Sequence, residues 1–160
     1  NGRTGKLYGY MHYGITPDIF TTAKGLGGGL PIGACVLGEK VENVLKSSDH
    51  GSTFGGNPVA CAGAISILSR VDDALLAEVE KKSAMIFDRL SKAEGVVSVT
   101  GKGLMIGIET VKPAGDVIAE CMKNGAMPIK AKTKVRLLPP LNITWEQLEK
   151  ALDTIENACK

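Results

Sequence analysis

A chain of 160 residues with 44% hydrophobic and 22% charged residues can bury one core and part of a second. Its 19 basic and 17 acidic residues leave a net charge of +2, which gives no reason to invoke nucleic acid or a membrane surface as a partner. Residues 1–14 lack the apolar core of a secretory signal, and no stretch approaches the ~18 uninterrupted apolar residues of a spanning helix, so the expectation is a soluble, cytoplasmic protein.

Residues 4–13 predict a short helix, and Pro17-Asp18 then opens a strand from Ile19 to Thr22. Lys24 stands just past that strand, in TTAKGLGGGLPIGA at residues 21–34, and four of the next five residues are glycine. Backbone so free of side chains admits a planar ligand, and a desolvated lysine amine is the nucleophile of Schiff-base chemistry. The alternative is a surface turn carrying a solvated charge. Two nucleotide motifs are excluded. The run from Gly25 has Leu30 where G-x-G-x-x-G needs its last glycine, and the Gly-Lys pairs at Gly5-Lys6 and Gly101-Lys102 lack the Ser or Thr of a P-loop.

Residues 32–38 predict a second strand, small and apolar on both faces, as inside a layered α/β sheet, and 39–46 a short helix. In HGSTFGGNPVACAGAISIL, residues 50–68, Asn57 is a good N-cap and Pro58 needs no partner at the first helical position, so a helix is expected over 57–70. The hydroxyls of Ser52 and Thr53, with free amides at a helix start, suit an anion such as phosphate. The same two residues also suit a plain turn.

Residues 73–93 predict the longest helix, with Leu76, Val79, Ile86 and Leu90 on one face and Lys81, Lys82, Asp88 and Arg89 available to the other. Short strands follow at Val96–Thr100 and Leu104–Glu109, then a helix near Asp116–Lys123, then strands at Met127–Ile129 and Val135–Leu138. Thr144-Trp145-Glu146-Gln147 is a capping box ahead of Trp145, Leu148, Leu152 and Ile155 at helical spacing, and Trp145 is assigned to the core. This second half is an α+β sandwich with its helices on one face. The cysteines at 35, 61, 121 and 159 form no C-x-x-C pair, and with two histidines in the chain they read as buried apolar residues, with no metal site expected. Arg136 interrupts the apolar run Val135-Arg136-Leu137-Leu138; it is either an edge-strand arginine facing water or a fork for a carboxylate. Arg3, Lys130, Lys132 and Lys134 are taken as solvated or structural.

TTAKGLGGGLPIGA and GSTFGGNP together resemble the class III, pyridoxal-phosphate-dependent aminotransferases, and GRTGKLYGYMHYGITPDIF at 2–20, GKGLMIGIE at 101–109 and VRLLPPLNIT at 135–144 agree. The resemblance implies the fold type I PLP-dependent transferase fold, an α/β architecture. Residues 1–80 would be the later, remaining part of the large doubly wound PLP-binding domain and 81–160 a small C-terminal α+β domain. It implies pyridoxal 5'-phosphate as cofactor, Lys24 as the catalytic, Schiff-base lysine, and Thr53 on the cofactor phosphate of the partner subunit. Ser52 would contact the substrate and Arg136 its carboxylate, in a homodimer with shared active sites. Within the family, the wording GLGGGLPIGA points to N2-acetylornithine as amino donor and 2-oxoglutarate as acceptor. Ornithine, succinylornithine and 4-aminobutyrate are the alternative donors, and a non-catalytic module that keeps the fold is the alternative from another class. The family's pyridine-binding aspartate, its upstream phosphate-binding turn and its ring-stacking aromatic find no counterpart in these residues. The expectation is therefore a carboxyl-terminal piece, inactive by itself, whose cut sheet exposes an edge and an apolar face.

Overall fold

The strand expected after Pro17 forms over Ile19–Thr22 (β1) and pairs antiparallel with Ala34–Leu37 (β2), Ile19 opposite Leu37 and Thr22 opposite Ala34. The computed structural model describes residues 1–160 as two compact units, Asn1 with Lys6–Asp73, and Gly2–Gly5 with Ala74–Lys160. In the first unit Phe20 of β1 lies beneath Tyr8 and Tyr10, at 4.8 and 5.3 Å between ring centroids. The helix expected over 4–13 shrinks to a 3-10 turn, Gly9–Tyr13, closed by Gly14 at φ +63°. Gly2–Gly5 belongs instead to a turn in the second unit, so no continuous helix can start there.

Two further expectations for this unit are corrected. Strand β2 is not covered on both faces: Cys35 is exposed and Val36 keeps 39% of its surface, because this unit contributes a single α-helix to pack against it. Residues 39–46 form turns, not a helix. The amides of Val41 and Glu42 both donate to the Gly38 carbonyl, and Val44 donates to Val41. So short a segment holds a helix only if a face is buried, and here β-branched Val44 and its neighbour Leu45 are exposed. Helix α1, Pro58–Leu68, forms as expected, and the Asn57 side chain accepts the amides of Val59 and Ala60, each at 3.1 Å.

The second unit is built from helix α2 (Asp73–Leu90, all but its first residue), β3 (Val96–Lys102), β4 (Met105–Thr110), α3 (Ala114–Lys123), β5 (Ile129–Ala131), β6 (Lys134–Leu137) and α4 (Trp145–Cys159). Its sheet is antiparallel throughout, in the order β3-β4-β6-β5. Strand alternation puts Ile106 and Ile108 of β4 and Val135 and Leu137 of β6 on one face. That face is buried against Val79, Ile86 and Leu90 of α2, Val117 and Cys121 of α3, and Leu148, Leu152 and Ile155 of α4. The helices thus cover one side of the sheet, and the other side is left for side chains of opposite parity. Pairing of β5 begins at Ile129, two residues later than expected, because Pro128 has no amide to give the ladder.

Three side chains sit where the sequence pattern did not place them. Lys82 is 5% exposed, since position 82 falls between Val79 and Ile86 on the core face of α2; its stem is buried and its Nζ lies 5.7 Å from the centre of the Trp145 ring. Trp145, expected in the core, keeps 39% of its surface, and its Nε1 donates to Glu78 at 3.1 Å. The cysteines divide: Cys121 and Cys159 are buried, Cys61 is partly so, and Cys35 is exposed. Arg89 ties α2 to α4 through a two-point grip on Glu156, at 2.8 and 2.7 Å, and a bond of 2.6 Å to Asp153. Both carboxylates, Glu156 foremost, raise the arginine's pKa further above its ordinary value.

The segment Gly2–Gly5 lies against the β3–β4 turn. Leu104 donates its amide to the Arg3 carbonyl at 2.9 Å, and Arg3 Nη1 donates to the carbonyls of Leu104 and Pro139. Gly103, at φ +56°, admits this contact, since a β-carbon there would stand 2.5 Å from Arg3 and Thr4 backbone atoms. Arg3 is accordingly structural, and burial lowers its pKa.

Candidate active site

Lys24 opens a 3-10 turn, Lys24–Gly27, directly after the extended Ala23, and its own backbone is left-handed at φ +55°. A non-glycine residue in that region is strained, and such strain is found where a side chain must be aimed. Asn1 braces the approach: its Nδ2 donates to the Ala23 carbonyl at 2.9 Å and its Oδ1 accepts the Thr22 hydroxyl at 3.0 Å. Lys24 is exposed, and a β-carbon at Gly25 would meet nothing within 4 Å, so open space adjoins the amine-bearing turn.

The turn rests on helix α1. A β-carbon on Gly63 would come 2.9 Å from the Gly27 carbonyl oxygen, and one on Gly28 would meet Ile67 at 2.8 Å, so the two glycines allow helix and turn to touch. Ser52 and Thr53 lie in the loop that leads into α1, both exposed, with Gly55 donating to the Ser52 carbonyl at 3.3 Å. The helix start itself has no amide to spare for a ligand. Asn57 takes Val59 and Ala60 through its side chain and Cys61 through its carbonyl, and Pro58 has none. An anion placed here would have only the two hydroxyls and the loop amides to meet it, together with the helix dipole.

Arg136 belongs to the second unit, apart from the other three residues in the chain's organisation. The edge-strand alternative does not hold, because β6 lies between β4 and β5. Arg136 is in register with Gly107 on one side and Ile129 on the other, on the sheet face that the helices do not cover. Its Nε is buried without a hydrogen-bond partner, and its charge is not among the chain's ion pairs. A guanidinium with a buried, unmet donor is a group awaiting an acceptor. No cluster of three or more His, Cys, Asp or Glu side chains could hold a metal ion, and no helix is long and apolar enough to cross a membrane.

The Aminotransferase class-III profile matches residues 1–159. The chain belongs to the class III aminotransferase family. Among its relatives, the acetylornithine aminotransferase of Haemophilus ducreyi is 46% identical over 96% of this chain, and that of Caldanaerobacter subterraneus 44% identical over 98%. The chain spans about two fifths of the length of each, 40% and 41%. Solved class III structures carry the same fold over the matching part. The acetylornithine aminotransferase of Elizabethkingia anophelis superimposes with a TM-score of 0.89 at 34% identity, covering 99% of this chain and 42% of that one. The ornithine δ-aminotransferase of Plasmodium falciparum superimposes with a TM-score of 0.87 at 36% identity, covering 99% of this chain and 44% of the other. The expected α/β aminotransferase fold is thereby established for these residues.

Proposed function

We propose that the chain is the later part of a pyridoxal-phosphate-dependent aminotransferase that transfers the terminal amine of N2-acetylornithine to 2-oxoglutarate, giving N-acetylglutamate 5-semialdehyde and glutamate, a step of arginine biosynthesis. The observation that carries the reading is Lys24: an exposed amine on strained backbone, beside open space and packed on the helix that follows Ser52 and Thr53, within a chain of this family. Those residues fit the cofactor. Lys24 would hold its aldehyde, and Thr53 would reach the phosphate across a homodimer interface. When bound, pyridoxal phosphate supplies an electron sink for the carbon that carries the amine. With the cofactor bound, the Lys24 amine would serve as the base that takes the proton from that carbon and as the acid that gives it back. Ser52 contacts the substrate, and Arg136 pairs with its carboxylate in the planar, two-point manner that a lysine cannot match. Residues 1–80 and 81–160 would be the remainder of the large domain and the small domain, in a cytoplasmic enzyme.

In the protein at the full length of its relatives, borohydride reduction with pyridoxal phosphate should fix the pyridoxyl group on Lys24, and Lys24→Ala should abolish turnover. Retained transaminase activity in that variant would sink the assignment. A second donor is favoured by a specific observation, the close superposition on ornithine aminotransferases. A panel of acetylornithine, ornithine, succinylornithine and 4-aminobutyrate separates the candidates, with acetylornithine expected to show the highest kcat/KM. No label at all would leave the non-catalytic module standing.

A further inference from the structure

Lys24 keeps its left-handed φ of +55° only while the peptide planes on either side of it are held. The plane before it carries the Ala23 carbonyl. Whatever grips that oxygen sets the rotation about the Lys24 N–Cα bond, and with it the direction in which the side chain leaves the backbone. The β1–β2 ladder ends at the Thr22–Ala34 pair, so the strand's own register stops one residue short of Ala23. Beyond it, two donors meet the Ala23 oxygen. The amide of buried Leu26 closes the turn onto it at 3.2 Å, and Asn1 Nδ2, 22 positions away in the chain, reaches it at 2.9 Å. A backbone carbonyl can only accept, which turns the amide nitrogen of Asn1 toward Ala23 and leaves Oδ1 to accept the Thr22 hydroxyl at 3.0 Å. One planar amide thus bridges the last paired residue of β1 and the first residue past it.

We infer that Asn1 is a positioning residue for Lys24: its side-chain amide clamps Thr22 and Ala23, holds the peptide plane before the lysine, and so aims the amine. The inference rests on the proposed role of Lys24. Asn1 acts through the backbone of Ala23, by hydrogen bonds that another side chain would have to reproduce at both ends. With the clamp removed, the Ala23–Lys24 peptide is free to turn toward the right-handed setting that suits a lysine better. The amine is then aimed for a smaller part of the time. Steps in which that amine must meet an atom become slower, whereas the affinity for substrate carboxylates does not depend on it.

The test uses the protein at the full length of its relatives, with Asn1→Ala, Asn1→Asp, Thr22→Val and Thr22→Ser. Two rates are read: uptake of pyridoxal phosphate by the cofactor-free protein, followed by its colour, and steady-state turnover. Denaturant midpoints establish that each variant is folded. Asn1→Ala and Asn1→Asp should lower both the uptake rate and kcat by about tenfold, with KM for each substrate changed less than about twofold. The aspartate keeps the shape and the acceptor for Thr22 and loses only the donor to Ala23, so it isolates that bond. Thr22→Val should fall part of the way, and Thr22→Ser, which keeps the hydroxyl, should behave as the parent. If uptake and kcat stay unchanged in both Asn1 variants, whatever the denaturant midpoint does, Asn1 is merely structural and the inference is overturned. A rise in KM with kcat unchanged overturns it as well. Borohydride labelling of Lys24 separates the two readings: a label on Lys24 with indifferent Asn1 variants rejects the clamp alone, and no label on Lys24 rejects the role of the lysine and the clamp with it.

Discussion

Cys121 and Cys159 show how burial silences a side chain that is reactive elsewhere. Both are enclosed where α3 meets α4, and desolvation, with the neighbouring Cys159 adding to it, pushes the Cys121 thiol from its ordinary 9.0 up to about 11. Burial raises Cys159 too, against the nearby charge of Lys112. At pH 8 a thiol reagent should modify exposed Cys35 at once and reach Cys121 and Cys159 only after unfolding. Labelling of Cys121 at the rate of Cys35 would contradict the described packing. The sign of the pH effect follows from which form the fold prefers. The native state favours the neutral thiol, so its contribution is whole below pH 9.0 and drains away as pH rises through about 11. Urea midpoints should fall over that interval, and fall less in Cys121→Ala.

At the scale of elements, the helix starts are where local sequence decides most. Asn57 and the Thr144–Gln147 box each satisfy amides that no intrahelical partner can reach, with Gln147 Oε1 also accepting the Thr144 amide at 3.2 Å. Asn57→Ala and Thr144→Ala should each cost about 1 kcal/mol, read as a shift in denaturant midpoint without a change in slope. A loss near zero for Asn57→Ala would mean that solvent replaces the cap freely. These features were legible because cap and capped residue lie within four positions of each other. Strand β1 was legible for the same reason, bounded by Pro17 and the glycine run. What sequence could not supply is whatever depends on distant partners. The position of β6 inside the sheet, which removes the edge reading of Arg136, is set by β5 folding back after α3. The Lys82 ammonium is aimed by Trp145, 63 positions away. Residues 39–46 have helical spacing but no surface to bury it on. At the site, Lys24, Ser52 and Thr53 stood out by their glycine-rich setting, whereas the burial of the Arg136 Nε follows only once β4, β6 and β5 are aligned.

At the scale of the whole molecule, burial is unevenly shared. Of the chain's buried apolar side chains, only Leu26, Ala60 and Ala64 lie in the first unit, and the rest form the continuous core of the second. Helix α1 is apolar nearly all round, yet Val59 and Ile65 keep 67% and 69% of their surface. Such a helix gains its stability only where it is covered. Amide hydrogen exchange on this chain should therefore find its slowest sites in β4, β6, α2 and α4, with residues 6–73 exchanging orders of magnitude faster. Equal protection in both units would show that the first is stabilised by something other than buried apolar area.

The chain also passes from one unit to the other three times: after Asn1, after Gly5 and after Asp73. Arg3 and its neighbours thus act as a latch, a turn of the amino-terminal piece fastened to Leu104 by one backbone bond and by the Arg3 side chain. A protease that nicks the connection at residues 71–73 would sever the covalent link without releasing the halves. The two fragments should co-elute under native conditions and part only in denaturant, whereas Gly103→Ala, which displaces the latch, should let them separate at once.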